Sequence, residues 1–134
     1  IQTTTPDDIS SIKRDIEILI VEDNKMNLKI LGTMLESLGY SFDAVENGYE
    51  GFLKAKNKHY DLIFMDLFMP EMDGFEASRR IIERDKTVLI AVFTADNLPE
   101  TRRKAELSGI REFISKPVRI EELKRLFLKY FKAK

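Results

Sequence analysis

From residue 16 onward, hydrophobic positions follow two alternating patterns. Short apolar runs rich in β-branched residues, typical of buried strands, alternate with longer segments whose apolar residues recur every three or four positions, as on one face of a helix. The helical segment that starts at Lys25 ends before Gly39, a residue typical of helix ends. The patterns predict strands at Ile16–Val21, Ser41–Val45, Leu62–Met65, Val88–Phe93 and Glu112–Ile114, and helices at Lys25–Leu38, Tyr49–Asn57, Phe75–Arg84, Pro99–Ser108 and Ile120–Phe131.

This alternation predicts a single α/β domain of the doubly wound type. Strands that alternate with helices form right-handed crossovers, which build one parallel sheet with helices on both faces. We expect residues 16–134 to form this domain, whose length suits one hydrophobic core. Residues 1–15 are predicted to be a linker or N-terminal tail, because Thr3–Asp8 is polar and interrupted by Pro6.

Composition narrows the class of protein. The chain has no cysteine, which excludes disulfides and thiolate metal sites. Its apolar runs are far shorter than the roughly 18 residues that a membrane span requires. A net charge of −1, from 22 basic and 23 acidic residues, does not indicate a nucleic-acid-binding face. We therefore expect a cytoplasmic domain that contacts neither nucleic acid nor membrane.

Charged and polar residues follow four of the predicted strands. In an open parallel sheet, functional groups gather at the carboxyl ends of the strands. Glu22 and Asp23 follow the first strand, Asp66 the third, Thr94 the fourth, and Lys116 comes shortly after the fifth. The sequence thus predicts three carboxylates, a hydroxyl and an ammonium group at one edge of the sheet.

These groups predict a magnesium site that handles a phosphoryl group. Neighbouring carboxylates repel each other, and a hard divalent cation with oxygen ligands removes that conflict. We expect Asp23 and Asp66 to bind Mg²⁺ directly and Glu22 to act through water. Asp66 is then placed to attack phosphorus as a nucleophile, while Lys116 and Thr94 stabilise charge on the phosphoryl oxygens.

The four segments together resemble the signature of response-regulator receiver domains of two-component systems. The resemblance covers about residues 16–131 and implies a flavodoxin-like sheet in the order 2-1-3-4-5. It further implies Mg²⁺-dependent transfer of a phosphoryl group from a phosphohistidine onto Asp66, with Mn²⁺ as a substitute ion. Such a domain catalyses its own phosphorylation and dephosphorylation without being a stand-alone enzyme. The segments are Val21–Asn24, Met65–Gly74, Thr94–Ala95 and Lys116–Pro117.

The resemblance also assigns roles to single residues. It implies that the backbone carbonyl of Phe68 is the third protein ligand of the metal, and that a cis peptide bond joins Lys116 to Pro117. It implies a switch in which Thr94 moves toward the phosphoryl group and Phe113 reorients. Family members differ at the position of Phe68, and we hypothesise that its bulk hinders the attacking water and lengthens the phosphorylated lifetime.

A second feature concerns the parent protein and its partners. Asn24 and Asn27 after the first strand resemble the receivers of hybrid histidine kinases. Together with the polar leader and the start without methionine, this favours a receiver from a hybrid kinase, whose parent can be membrane-anchored, over a free-standing regulator. The expected partner is a histidine kinase dimerisation domain or a histidine phosphotransfer domain, docked at the first helix and the loop near Pro117.

Three alternatives compete with these assignments. A phosphorylation-independent interaction module is the runner-up, although degenerate receivers usually lose one of the acidic, threonine or lysine residues that this chain keeps. A hydrolase that works through an aspartyl phosphate is a third reading, but Phe68 stands where such enzymes carry an acid and cannot do proton chemistry. Thr94 could simply cap the fourth helix. His59, the only histidine, is expected at the surface rather than in the site.

Overall fold

The structure is a computed structural model that describes residues 11–133, and it contains every predicted strand and helix. Most element ends differ from the prediction by one or two residues. The elements are β1 (Ile18–Val21), α1 (Lys25–Ser37), β2 (Asp43–Val45), α2 (Gly48–Asn57), β3 (Leu62–Asp66), α3 (Gly74–Arg84), β4 (Leu89–Thr94), α4 (Pro99–Leu107), β5 (Glu112–Ser115) and α5 (Ile120–Tyr130).

All five strands run parallel in the order β2-β1-β3-β4-β5, which confirms the fold class and the strand order. The register aligns the carboxyl ends of the inner strands. Val21 of β1 pairs with Met65 of β3, and Asp66 pairs with Phe93 of β4. On the other side of β4, Thr94 pairs with Ser115 of β5. Residues that follow these strands therefore meet at one edge, here called the carboxyl edge.

The sheet separates two hydrophobic cores, because side chains alternate between the faces of a strand. Helices α1 and α5 cover one face, and α2, α3 and α4 cover the other. The first core contains Ile20, Phe64, Phe93, Leu31, Leu35, Leu123 and Phe127, and the second contains Leu19, Met65, Val92, Phe75, Ile81 and Ala105. Burial on both faces explains why the inner strands read as continuous apolar runs.

Side-chain caps fix the start of three helices near the carboxyl edge. Asn24, Asn47 and Asp73 accept hydrogen bonds from backbone N–H groups in the first turns of α1, α2 and α3. Gly74, the first residue of α3, lies so close to the backbone carbonyl of Asp66 that a Cβ atom would overlap it. Glycine is required there for α3 to start against the end of β3.

The segment before β1 lies against the end of α5. Ile12 is buried and forms an antiparallel bridge with Lys132. The Lys13 N–H donates to the Phe131 carbonyl at 2.7 Å, and the Tyr40 hydroxyl donates to the Lys13 carbonyl at 2.8 Å. Residues 1–10 of the predicted tail lie outside the described residues, so the domain boundary at residue 16 stays a prediction.

Two strands are shorter than the sequence predicts. Pairing with β3 begins at Ile18, so Ile16 precedes β1, although its side chain is still buried. On the other side of β1, β2 pairs only from Asp43 to Val45, as an edge strand with one neighbour. No helix within residues 11–133 is long and apolar enough to cross a membrane.

Candidate functional site at the carboxyl edge

An open cavity of about 540 Å³ lies at the carboxyl edge of the sheet. It is lined by all five residues that the strand ends predict: Glu22, Asp23, Asp66, Thr94 and Lys116. The loops after β1, β3, β4 and β5 each contribute to it, so the fold brings together groups that are far apart in sequence.

Three carboxylates share this cavity. One oxygen from each of Glu22, Asp23 and Asp66 lies within 4.8 Å of the others. Glu22 and Asp66 are only 1% and 6% exposed, whereas Asp23 is exposed. The Asn24 N–H donates to Glu22 Oε2 at 3.0 Å and helps to fix this buried carboxylate.

Lys116 supplies the positive charge opposite these groups. Its Nζ donates to Glu22 Oε1 at 3.0 Å and lies 3.6 Å from Asp66 Oδ1. Among the described residues it is the only basic side chain that lines the cavity. Its backbone N–H donates to the Thr94 carbonyl at 2.8 Å, and the Lys116–Pro117 peptide bond is cis, as the resemblance implies.

One ammonium group does not compensate three carboxylates. Burial, followed by the neighbouring Glu22 carboxylate, raises the pKa of Asp66 to about 7, against the opposing effect of Lys116. A divalent cation would remove this conflict, and carboxylate oxygens are the ligands that hard cations prefer. The donor set at this edge therefore fits such an ion.

Thr94 is buried and does not cap α4. Its hydroxyl oxygen accepts the Asp96 N–H at 3.2 Å, while α4 begins only at Pro99, after Leu98. Phe113 does not line the cavity. Its half-buried ring packs beside the core of the second face, with the guanidinium carbon of Arg102 at 4.4 Å from the ring centroid.

Phe68 stands at the wall of the cavity. Its side chain is 54% exposed, and its ring packs edge-on against Phe75, with 6.1 Å between the centroids. The Phe68 backbone N–H has a small effect that lowers the pKa of Asp66, against the larger effects of burial and Glu22. The role of the Phe68 carbonyl as a metal ligand stays a prediction.

Asp96 also lines the cavity, although it was not among the residues expected there. Its carboxylate accepts the Leu98 N–H at 2.9 Å and the Thr101 hydroxyl at 2.8 Å. An aspartate three residues before a proline that opens a helix indicates a turn that leads into that helix. That signal was available in the sequence, but it predicts only a helix end and not a residue beside the site.

The fold and this edge define a class of doubly wound α/β domains with an acidic site where the parallel strands end. The particular family follows from comparison with known proteins. Residues 18–127 match the response regulator receiver domain family, and the chain belongs to it. It is a receiver domain of two-component signalling.

Curated relatives include hybrid kinases. Hybrid signal transduction histidine kinase L of Dictyostelium discoideum is 39% identical over 124 residues, which cover 87% of this chain and 7% of the relative. Signal transduction histidine-protein kinase BarA of Escherichia coli K12 is 33% identical over 121 residues, which cover 88% of this chain and 13% of the relative. The chain therefore spans only a small part of either protein's length.

Two solved structures bear on the site. One is the receiver domain of sensor histidine kinase PA1611 from Pseudomonas aeruginosa, which is 34% identical and superposes with a TM-score of 0.80. The match covers 86% of this chain and 96% of the PA1611 domain, and that structure holds a magnesium ion in its active site cleft. The co-crystal structure of the Saccharomyces cerevisiae phosphotransfer protein Ypd1 with the receiver domain of Ssk1 matches at 33% identity and a TM-score of 0.82, over 90% of both chains.

Proposed function

We propose that this receiver accepts a phosphoryl group from a partner's phosphohistidine onto Asp66, in a Mg²⁺-dependent reaction, and acts as a conformational switch in a phosphorelay. The environment of Asp66 is the observation that best supports this proposal. Its buried carboxylate lies beside Glu22 and 3.6 Å from Lys116, which is the only basic side chain lining the cavity within the described residues. A carboxylate with a raised pKa in a cleft is a candidate for chemistry rather than for stability.

The proposed step is an in-line transfer. An oxygen of Asp66 forms a bond to phosphorus as the bond from phosphorus to the histidine nitrogen breaks, and the imidazole leaves. Lys116 would stabilise one equatorial phosphoryl oxygen, and the Thr94 hydroxyl would donate a hydrogen bond to another. Glu22 supports this arrangement because its hydrogen bond to Lys116 Nζ holds the ammonium group beside Asp66.

Asp23 and Asp66, with the backbone carbonyl of Phe68, would hold Mg²⁺ directly, and Glu22 would act through water. When bound, the ion supplies neutralisation of the clustered carboxylates and of the phosphoryl oxygens. The spacing of the three carboxylates within 4.8 Å supports this assignment, as does the magnesium in the PA1611 receiver. Mn²⁺ accepts the same oxygen ligands and is proposed as a substitute.

The proposed partner is a histidine phosphotransfer domain or a kinase dimerisation domain. Exposed apolar side chains are available for such a contact: Met26 and Ile30 in the first half of α1 are 65% and 42% exposed, and Phe68 lines the cavity. A small pocket lined by Ile30, Pro117 and other residues continues this surface toward the β5–α5 loop. Such a rim suits helices that carry the phosphohistidine, and the Ypd1–Ssk1 complex joins proteins of these two kinds.

Phosphorylation would add about −1.5 to −2 charge beside Lys116. We propose that Thr94 then moves toward the phosphoryl group and Phe113 reorients, which shifts a two-state equilibrium. The surface of α4, β5 and α5 would carry the change to other domains. We also propose that the parent is a hybrid histidine kinase, since the similar proteins above include such kinases.

The test is intact mass after incubation with acetyl phosphate, with and without Mg²⁺. Asp66→Asn removes the nucleophile, and Asp85→Asn is the matched control at the opposite edge of the sheet. We expect one added phosphoryl group on the wild type and on Asp85→Asn, only with Mg²⁺, and none on Asp66→Asn. A folded wild type that gains no mass would favour the phosphorylation-independent interaction module.

A further inference from the structure

The loop between β4 and α4, residues 95–98, is tied down by two side-chain hydrogen bonds. Thr101 Oγ1 donates to Asp96 Oδ2 at 2.8 Å, and Ser115 Oγ donates to Asn97 Oδ1 at 2.6 Å. We call this pair of hydrogen bonds the loop anchor. One bond joins the loop to α4 and the other joins it to β5, immediately before Lys116.

Asp96 connects the proposed switch threonine to α4. Its backbone N–H donates to Thr94 Oγ1 at 3.2 Å, and its carboxylate is held by the first residues around the start of α4. Leu98, which precedes the helix, has no capping side chain, and the Asp96 carboxylate contacts this end through the Leu98 N–H and the Thr101 hydroxyl. The position of Thr94 and the position of the first turn of α4 therefore depend on one residue.

The Thr101 bond is partly buried. Thr101 is 9% exposed, and its hydroxyl donates to a charged acceptor. Hydrogen bonds to charged groups in low-dielectric surroundings are stronger than exposed neutral ones. The Asn97–Ser115 bond joins two neutral groups at a more exposed position, so it should contribute less.

We propose that the loop anchor stabilises the unphosphorylated conformation, and that Thr101, Asn97 and Ser115 are positioning residues that set the switching equilibrium. This inference rests on the proposed function, in which Thr94 moves toward a phosphoryl group on Asp66. A Thr94 that moves either loses the Asp96 N–H or pulls Asp96 with it. Asp96 can follow only if its carboxylate leaves Thr101, and the loop can follow only if Asn97 leaves Ser115.

Loss of the anchor should therefore favour the phosphorylated conformation. Some ligands bind only a minor conformation of a protein. If that conformation becomes tenfold more populated, the apparent affinity of such a ligand rises about tenfold. Removal of one hydrogen bond changes such an equilibrium by about three- to tenfold. Thr101→Val should lie near the upper figure, and Asn97→Ala and Ser115→Ala near the lower one.

The test uses beryllofluoride, a stable analogue of a phosphoryl group, with Mg²⁺ as the titrant in isothermal titration calorimetry of the whole chain. Thr87→Val is the matched control, because Thr87 Oγ1 also donates to an aspartate, Asp85, at 2.6 Å, but at the opposite edge of the sheet. In excess beryllofluoride we expect about three- to tenfold tighter binding for the anchor variants and no change for Thr87→Val. Titration of Mg²⁺ alone should give equal affinities for all of them.

Asn97→Ala combined with Ser115→Ala should equal either single change, because both remove the same bond. Unchanged or weaker binding by folded anchor variants would overturn the inference while leaving the proposed function intact. Should Thr101→Val fail to fold, the two changes at the Asn97–Ser115 bond decide the question. A wild type that does not bind beryllofluoride with Mg²⁺ would overturn the proposed function and this inference together.

Discussion

The two edges of the sheet carry similar charged side chains in opposite electrostatic states. At the amino edge, Asp43 accepts hydrogen bonds from Tyr60 and Lys58, which hold the pKa of Asp43 below its usual value. Asp85 lies at the same edge, and hydrogen bonds from Thr87, with a smaller effect from His59, likewise lower its pKa. At the carboxyl edge, burial and a neighbouring carboxylate instead raise the pKa of Asp66 to about 7.

This difference separates groups that stabilise the fold from groups that prepare it for a ligand. A carboxylate with a lowered pKa stabilises the folded state near neutral pH, whereas one with a raised pKa is destabilising when ionised. Natural sequences tolerate such conflicts mainly at functional sites. The amino edge resolves its charges within the chain, whereas the carboxyl edge leaves an excess of negative charge that the proposed Mg²⁺ would compensate.

The largest effect is expected when Lys116 is removed, because it is the only basic side chain among residues 11–133 that lines the cavity. Lys116→Met should slow Mg²⁺-dependent phosphorylation by acetyl phosphate by about 100-fold or more, because stabilisation of transition-state charge is lost. The same change should tighten Mg²⁺ binding, since it removes a positive charge 3.6 Å from Asp66. Lys58→Met, at the amino edge, is the control and should leave the rate unchanged. A rate for Lys116→Met close to that of the wild type would contradict the role of Lys116.

A second effect concerns stability without metal. The pKa of Asp66 is raised in the folded state from about 3.9 in the unfolded chain. The folded state therefore holds this proton more tightly, and the resulting stabilisation is complete below the unfolded pKa and is lost as the pH rises through about 7.

Asp66→Asn should consequently raise the melting temperature of the metal-free domain at about pH 8, by about 3 °C or more, and change it little near pH 4. Addition of Mg²⁺ to the wild type should raise its melting temperature at the higher pH. Calorimetry at the two pH values checks this. The prediction would be contradicted if Asp66→Asn were more stable than the wild type at low pH but not at high pH.

Phe68 offers a third effect, on the lifetime of the product. Its exposed ring at the cavity wall is expected to obstruct the water that hydrolyses the aspartyl phosphate. Phe68→Asn should therefore speed dephosphorylation by about tenfold, as a polar side chain can orient that water. Phe68→Leu keeps the apolar bulk and should stay near the wild-type rate. The decay of phosphorylated protein by intact mass measures both, and equal rates for all three proteins would sink the hypothesis.

The smallest effect is expected at the amino edge. His59 is exposed, outside the cavity, with Nδ1 2.7 Å from Asp85 Oδ2 and Nε2 3.3 Å from Asp61 Oδ1. The hydrogen bond to Asp85 is the main cause that raises the pKa of His59 in the folded state. The stabilisation from His59 is therefore present below about pH 6.5, and it is lost as the pH rises through the folded pKa. His59→Gln should lower the melting temperature by about 1–2 °C near pH 5.5 and have no effect near pH 9.

Most of the fold and the composition of the carboxyl edge were predictable, and for one reason. Continuous apolar runs identify buried parallel strands, and parallel strands bring their carboxyl ends to one edge whatever lies between them in sequence. Glu22, Asp66 and Thr94 each come directly after such a run. Their meeting in one cavity follows from topology and needs no knowledge of side-chain conformation.

The contacts that the sequence does not reveal depend on packing between distant segments. Glu22 was expected to act toward the metal and Lys116 toward the phosphoryl group, but the structure also joins them directly at 3.0 Å. Ile12 belongs to a segment with the polarity of a tail, yet it is buried because residues around Lys132 lie beside it. Neither pairing leaves a local pattern, since each is set by the path of the chain through α5 or β5.

Chemical trapping can show whether the phosphoryl group resides on Asp66. After incubation with acetyl phosphate and Mg²⁺, reduction with borohydride converts an aspartyl phosphate to homoserine, and peptide mass spectrometry locates the altered residue. We expect homoserine at position 66 alone, and none without Mg²⁺. Homoserine at Asp23, Asp96 or another aspartate, with position 66 unchanged, would contradict it.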